Sequence, residues 1–467
     1  MIAGGGVRKI RNYQNGQALV LFLAFAAALT GIMLVAFNSG QVSNAKMRAM
    51  NAADAAAYSG AVWQARTLNF QAYMNRAMIV NEVTIAQSVS LRSWIDYLAE
   101  LVRNVSHIAK LYPPIYAVVQ TAARVLERVN NQVQTHFPPV EDALRTLSYL
   151  EHNAQKSFNG VGVVIAMDIA NEIAKKNGAS LTLGDVALFE KNLEYWVKFT
   201  ETYDKNNRPS IGPKDDGRKR LREVALNSRD GFTRARDWSL NVSLSFRKQG
   251  GTDLIDYDSW KAMDSVAVSI GIPPIQLKFP LGWGGAQAYS TRMPVKKIGT
   301  HGDINDWNAI DGLLARDAAE SKITANPLKL GSKLVDFPGY RDVQEFDAGE
   351  PKSNMLPFAV EVVIKESAIP SANSEFGAKA ALTNGVMLEH DPQYVANGGV
   401  FAIAEACVAF QRPFNHPRLD GATEFPSLFN PYWRASLATD DFRSMALVRV
   451  AKGLFPMRVS GKGSCRV

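Results

Sequence analysis

The chain has 467 residues, 47% of them hydrophobic and 21% charged, a balance that excludes wholesale disorder and allows a sizeable core. Its net charge of +8 is modest for this length and, apart from a basic stretch from Lys214 to Arg236, is spread along the chain, so no nucleic-acid partner is expected. The only cysteines, Cys407 and Cys465, exclude a disulfide-dense scaffold and a cysteine-rich zinc module; they leave room for one bridge in an oxidising compartment.

A basic cluster, Arg8, Lys9 and Arg11, precedes an uncharged run from Ala18 to Phe37. About 20 apolar residues is the length with which a helix crosses the hydrocarbon core of a bilayer, and a helix satisfies its own backbone there. The residues expected to face lipid are Ala18, Leu19, Val20, Leu21, Phe22, Leu23, Leu29, Ile32, Leu34 and Val35. The basic residues favour a cytoplasmic N-terminus, although Lys46 and Arg48 on the far side weaken the bias. The expectation is a cytoplasmic tail over 1–16, a transmembrane helix over 17–38, and the bulk of the chain on the far side of the membrane from the cytoplasm. The alternative is a cleaved secretory signal, with small residues at Ala24-Phe25-Ala26.

From Gln41 to Lys110 there is no proline and alanine is prominent, so the apolar helix is expected to run on into a long helix or a stack of helices. Within it Ala52, Ala53, Asp54, Ala56, Ala57 and Gly60 form a small-residue segment that lets another helix approach closely; the plainer alternative is a high-propensity helix inside its own domain. Pro113-Pro114 and Pro138-Pro139 predict helix breaks, leaving helices over 115–135, 140–176, 185–203 and 216–236. Spacing of Val186, Phe189, Leu193, Trp196, Val197 and Thr200 predicts one buried face.

At Trp238 the period changes to two: Trp238, Leu240, Val242, Leu244 and Phe246 alternate with polar residues, as in a half-buried strand. Further strands are expected over 265–270, 276–279, 357–365, 399–410 and 444–450, with loops at Gly282-Trp283-Gly284-Gly285 and from Asn326 to Gly339. The expected fold class is α+β: a membrane helix, a mainly helical extracytoplasmic region over 39–236, then a β-rich extracytoplasmic domain over 237–467 with an antiparallel or mixed sheet and long loops. A five-residue echo, Trp-x-Ala-x-Asp, occurs at Trp260–Asp264 and Trp307–Asp311.

No catalytic address is visible. The six histidines are scattered, and none pairs with a second at metal-ligand spacing. Neither a nucleophile elbow, a zinc-protease helix nor a phosphate loop occurs. His301, Asp303, Asn305 and Asp306 have the oxygen donors of a cation site without the glycine-centred calcium loop, and read as a capped turn; His390-Asp391-Pro392 reads as a turn too. The basic stretch is interleaved with Asp215, Asp216, Glu223 and Asp230 and reads as a solvated helix face. No enzyme activity, cofactor or metal is expected, the rivals being a secreted binding protein or adhesin and an envelope hydrolase with a site assembled from distant residues.

Gly16-Gln17-Ala18-Leu19-Val20 leading into an apolar helix, followed by Asn51-Ala52-Ala53-Asp54-Ala55-Ala56-Ala57, resembles the N-terminal signature of TadE/TadG-like proteins of the tight-adherence, or Flp-type, pilus machinery. Phe410-Gln411-Arg412-Pro413 and Leu428 to Ala435 resemble segments of longer members. Members processed by a prepilin peptidase carry Glu where this chain has Leu21, so the intact anchor is expected. The Asp-x-Ser-x-Ser metal site of members with a von Willebrand type A domain does not occur. The resemblance implies a non-enzymatic envelope protein acting in assembly, anchoring or priming of a pilus or related secretion apparatus. Its partners would be the lipid bilayer, other proteins of that apparatus and, in a homo-oligomer, further copies.

Overall fold

The computed structural model describes residues 17–182, 186–203, 218–241, 244–255, 259–272, 275–288, 318–319, 321–323, 338–343, 355–370, 399–413 and 426–438. Its elements in chain order are α1 (Gln17–Ala109), α2 (Pro113–Lys176), β1 (Ser180–Leu181), α3 (Val186–Phe199), β2 (Thr200–Tyr203), α4 (Arg218–Asn227) and α5 (Gly231–Arg234). Strands follow: β3 (Trp238–Asn241), β4 (Ser245–Ile255), β5 (Ser259–Ile272), β6 (Ile275–Ala288), β7 (Tyr340–Val343), β8 (Met355–Lys365), β9 (Gly399–Phe410) and β10 (Trp433–Leu437). The class is α+β, as the residue pattern implies.

One helix organises everything else. Without a proline between Gln17 and Tyr112, α1 runs unbroken for 93 residues, roughly 140 Å at 1.5 Å per residue. α2 folds back antiparallel beside it, tied by polar side chains: Gln155 to Asn75 at 2.6 Å, Asn81 to Ser148 at 3.2 Å, Arg92 to Gln134 at 3.0 Å and Asn130 to Asp96 at 2.9 Å. Two buried ion pairs, Arg145 with Glu82 at 3.3 Å and Arg92 with Glu141 at 3.1 Å, lie in the same seam. Such polar rungs define the register of the two helices, because a slip would strand buried charges at a cost of about 3–5 kcal/mol each.

Two four-stranded antiparallel sheets flank α1 at different heights, in the orders β1-β8-β9-β10 and β3-β4-β5-β6. The first shares a core with Val42 to Leu68 of α1 and with Val163, Ala166, Ala170 and Ala174 of α2. The second packs on Met78 to Val89, with Trp260 fully buried and its indole N–H donating to Glu82 at 2.9 Å. Between them sits the pair β2-β7, where Asn75 of α1 donates to the carbonyls of Arg341 and Leu428.

Several expectations are corrected. Pro113-Pro114 start α2, where a missing N–H costs nothing, but Pro138-Pro139 do not break it. Contacts of Gln134 and Glu141 with Arg92, on either side of the prolines, hold the helix across the gap in its ladder. The alternating stretch at Trp238 is a hairpin of β3 and β4, and β3 is exposed throughout. Gly282-Trp283-Gly284-Gly285 is strand, part of β6, because α1 lies directly on it: a side chain at Gly284 would sit 2.3 Å from the Tyr97 nitrogen, and one at Gly282 would sit 2.6 Å from Leu101. The absence of side chains lets sheet and helix backbones touch.

On α3 the buried face is Leu188, Asn192, Trp196 and Phe199, whereas Phe189, Leu193 and Val197 are exposed. Asn192 accounts for the rotation. Its amide donates to the Ala359 carbonyl at 2.8 Å and accepts from the Ala359 N–H at 3.1 Å, so a polar side chain docks on β8 as a strand would. The strand expected over 444–450, most of the loop after Asn326, and the second copy of the Trp-x-Ala-x-Asp echo lie outside the described residues.

Candidate functional site

α1 changes character along its length. From Ala18 to Phe37 its large apolar side chains are exposed on every side, with relative accessibilities of 36–70% from Val35 to Leu21; Leu34 alone among the expected lipid-facing residues is half-buried. The window is uncharged, its mean hydropathy is 2.6, and none of its residues is buried. Keeping such side chains in water costs about 1.5–3 kcal/mol each relative to an apolar surrounding. The segment is thus one helix long and apolar enough to cross a membrane.

Burial begins abruptly at Asn38 and Ser39. One turn further on, Val42, Ala45 and Ala49 enter the core, followed by Ala52, Ala53, Ala56 and Ala57, each with no exposed surface. Gly60 meets the Phe358 ring of β8 so closely that a Cβ would sit 2.2 Å from it. Asp54 is half-exposed, and partial burial raises its carboxyl above the usual range. The helix that the small residues admit is α2 of the same chain, and their other neighbour is the β8–β9 sheet. Lys46 is tied to that sheet, donating to the Phe401 carbonyl at 2.8 Å.

The basic stretch is corrected in its second half. Arg229 and Arg236 are buried while Arg234 is exposed; Lys214 and the side chains of Arg218, Lys219, Arg220 and Arg222 lie outside what the structure describes. Arg236 donates through Nε and Nη2 to the two oxygens of Asp264 at 2.8 and 2.9 Å; Lys248 reaches Oδ1 at 2.6 Å and Ser93 of α1 reaches Oδ2 at 2.6 Å. Burial pushes the Asp264 carboxyl up, but the two cations and their hydrogen bonds together outweigh it and hold the group below the usual carboxylate range. Tyr97, against the Lys248 ammonium, is pushed up to about 12 by burial and by the Asp264 charge. Each Asp264 oxygen accepts two hydrogen bonds, so the cluster fastens β4 and β5 to α1. Sequence spacing could not find it: its members are 171, 28 and 16 residues from Asp264. The sole trace was Asp264 closing the first Trp-x-Ala-x-Asp echo.

Among the described residues, no three His, Cys, Asp or Glu side chains come together as a metal would need. His301, Asp303, Asn305, Asp306, His390 and Asp391 lie outside them. Cys407 is buried on β9 and disulfide-bonded; Cys465, the one other cysteine of the sequence, lies outside the described residues. The segments at Phe410–Pro413 and Leu428–Ala435 meet. Phe410 of β9 stands opposite Trp433 of β10 with ring centroids 5.4 Å apart, and the Gln411 N–H donates to the Tyr432 carbonyl at 2.8 Å.

The chain matches no curated protein and no solved structure. The segment in which α1 passes from exposed to buried matches a family model: over residues 16–65 the chain is similar to the TadE/G-like Flp pilus-assembly family.

Proposed function

We propose that this chain is a membrane-anchored, non-enzymatic component of a Flp-type pilus or related secretion apparatus, acting in its assembly, anchoring or priming. A single observation carries the reading: the family match over 16–65 spans the junction between the exposed apolar rod and the buried small-residue segment of one continuous helix. In this reading residues 17–38 cross the bacterial inner membrane with the N-terminus in the cytoplasm, and the remainder stands outside it. A rigid helix continuing from bilayer to core transmits position and force without a hinge, which suits a scaffold better than a freely diffusing enzyme. The sheets and helices around α1 then form a platform for other apparatus proteins.

Two experiments test it. Carbonate extraction of cells should leave the protein in the membrane pellet, and a periplasm-active reporter fused after Lys110 should be active while a cytoplasm-active one is silent. Loss of the gene should abolish surface pili, restored by the wild-type chain and by a His301→Ala variant alike. Cytosolic recovery, or normal piliation without the gene, overturns the proposal.

A further inference from the structure

Among the described residues, nothing covers an apolar stripe on the face of α2 turned away from α1. Leu111, in the turn that precedes α2, leads into it, and Ile115, Val118, Val125 and Val129 follow one another at steps of three, seven and four residues. Beyond the prolines Val140, Leu147, Leu150, Val161 and Val164 continue it, apart from the longer step between Leu150 and Val161. All ten are exposed, from 41% at Val129 to 88% at Leu111. Small residues fill most of the missing positions: Ala122 and Ala143 exposed, Ala154 half-buried. A seam that alternates three and four over such a length is the pattern of a coiled-coil helix, not of a solvated one. Only at Gln132, His136 and Val140 do two steps of four follow in succession, the one stutter in the repeat, and it coincides with Pro138-Pro139.

We infer that two copies of this chain associate through this face of α2, the helices running parallel and in register. Three observations select a second copy as the occupant. First, equal positions meet in a parallel pair, so each apolar layer finds its own match and Gln132 and His136 meet their counterparts at the stutter, where polar residues define register. Second, the positions flanking the stripe carry only two charges, Arg128 and Glu151. Distinct partners are normally selected by charges there, and an identical copy meets no repulsion. Third, ten side chains with about 50 Å² each to lose give roughly 1,000 Å² over the pair, enough for a specific interface. The parallel sense rests on the proposed anchoring, since antiparallel copies would direct their apolar N-termini away from each other.

The test uses the full-length chain in native membranes. Cysteine is placed singly at Val125, at Leu150 and, as an off-stripe control, at Lys156, followed by mild oxidation. Covalent homodimers at Val125→Cys and Leu150→Cys, absent from Lys156→Cys and the parent, are expected. Sedimentation in detergent should show a dimer that Val129→Glu weakens at least tenfold while its circular dichroism is unchanged. A monomer in sedimentation, crosslinks to a different protein, or crosslinks only between a Val125→Cys copy and a Leu150→Cys copy each overturn the inference. Carbonate extraction of the same membranes judges the anchoring separately: release into the supernatant sinks that reading whether or not crosslinks form.

Discussion

Residues 18–37 and 42–100 of α1 belong to one unbroken helix, yet they are built for different surroundings. The first stretch carries large apolar side chains exposed on every side; the second begins with small residues where the sheet and α2 close on it, Ala49, Ala52 and Ala56 being fully covered, and then buries larger groups such as Leu68, Met78 and Ile85 beside polar ones such as Gln71. A helix that must enter lipid needs apolar bulk on every side, because water and polar neighbours are both missing there. One that must serve as the axle of a folded body needs the reverse: small faces so that sheets and α2 can approach, and polar rungs to define where they stop. Backbone continuity therefore says nothing about environment; the size, polarity and placement of the side chains around the helix do.

The strongest way to break the comparison is to give the first stretch the polarity of the second. A Phe25→Asp, Leu29→Asp double variant places two carboxylates near the middle of the apolar run, each costing about 2.5–3.5 kcal/mol at the centre of a membrane helix. Most of the protein should move from the carbonate-resistant pellet to the soluble fraction or be degraded. Unchanged membrane retention would show that the run is not what holds the chain in place.

The converse change strips the second stretch of a charge it relies on. Asp264→Ala leaves Arg236 and Lys248 buried without their carboxylate. A loss of about 3–5 kcal/mol is expected, read as a lowered denaturation midpoint in detergent with membrane retention unaffected. Replacing all three residues by apolar ones of similar volume should recover most of that loss. A full-sized deficit in the triple variant would mean that the charges matter for more than mutual compensation.

Smaller still is the cost of adding bulk where α1 needs none. Gly60→Val pushes a side chain into the Phe358 ring, and overpacking of this kind costs about 1–3 kcal/mol. The same exchange at Gly31, with nothing within 4 Å of the added carbon, should be silent in solubilised protein. Equal destabilisation at both positions would erase the distinction between the two stretches.

Legibility in the sequence follows the same divide. The apolar run was readable because composition alone decides it, and strand β9 was readable to the residue because hydrophobicity and β-branching agree there. Pro138-Pro139 misled because local propensity is overridden by contacts with Arg92, far away along the chain. Gly282 to Gly285 misled for a related reason: glycine marks a turn or a close approach, and only the neighbour tells which. The face of α3 was misread because Asn192, polar and seemingly outward, pairs with the backbone of β8. The Asp264 cluster and the ladder between α1 and α2 depend on pairings across tens of residues, which periodicity cannot register.

The smallest expected effect separates two buried carboxylates packed against α1, Glu141 of α2 and Asp264 of β5, by the sign of their response to acid. Burial raises the Glu141 carboxyl in spite of Arg92 and the Ser88 hydroxyl, whereas Asp264 is held low by its two cations. Folding therefore favours the protonated form of Glu141. Its contribution is complete below about pH 4.3, where the unfolded group titrates, and is lost as pH rises through the higher folded value. Asp264 acts oppositely: its contribution is complete above about pH 3.9 and is lost as pH falls through the lower folded value. Between pH 7.5 and pH 4.5 only Glu141 is in play, so the wild type should gain stability relative to Glu141→Gln as the solution is acidified, followed as the difference in denaturation midpoint. Below pH 3.9 the wild type should lose ground to Asp264→Asn instead. Parallel curves over both ranges would mean that the seam and the cluster are solvated alike, and that the buried stretch of α1 is less sealed from water than its alanines imply.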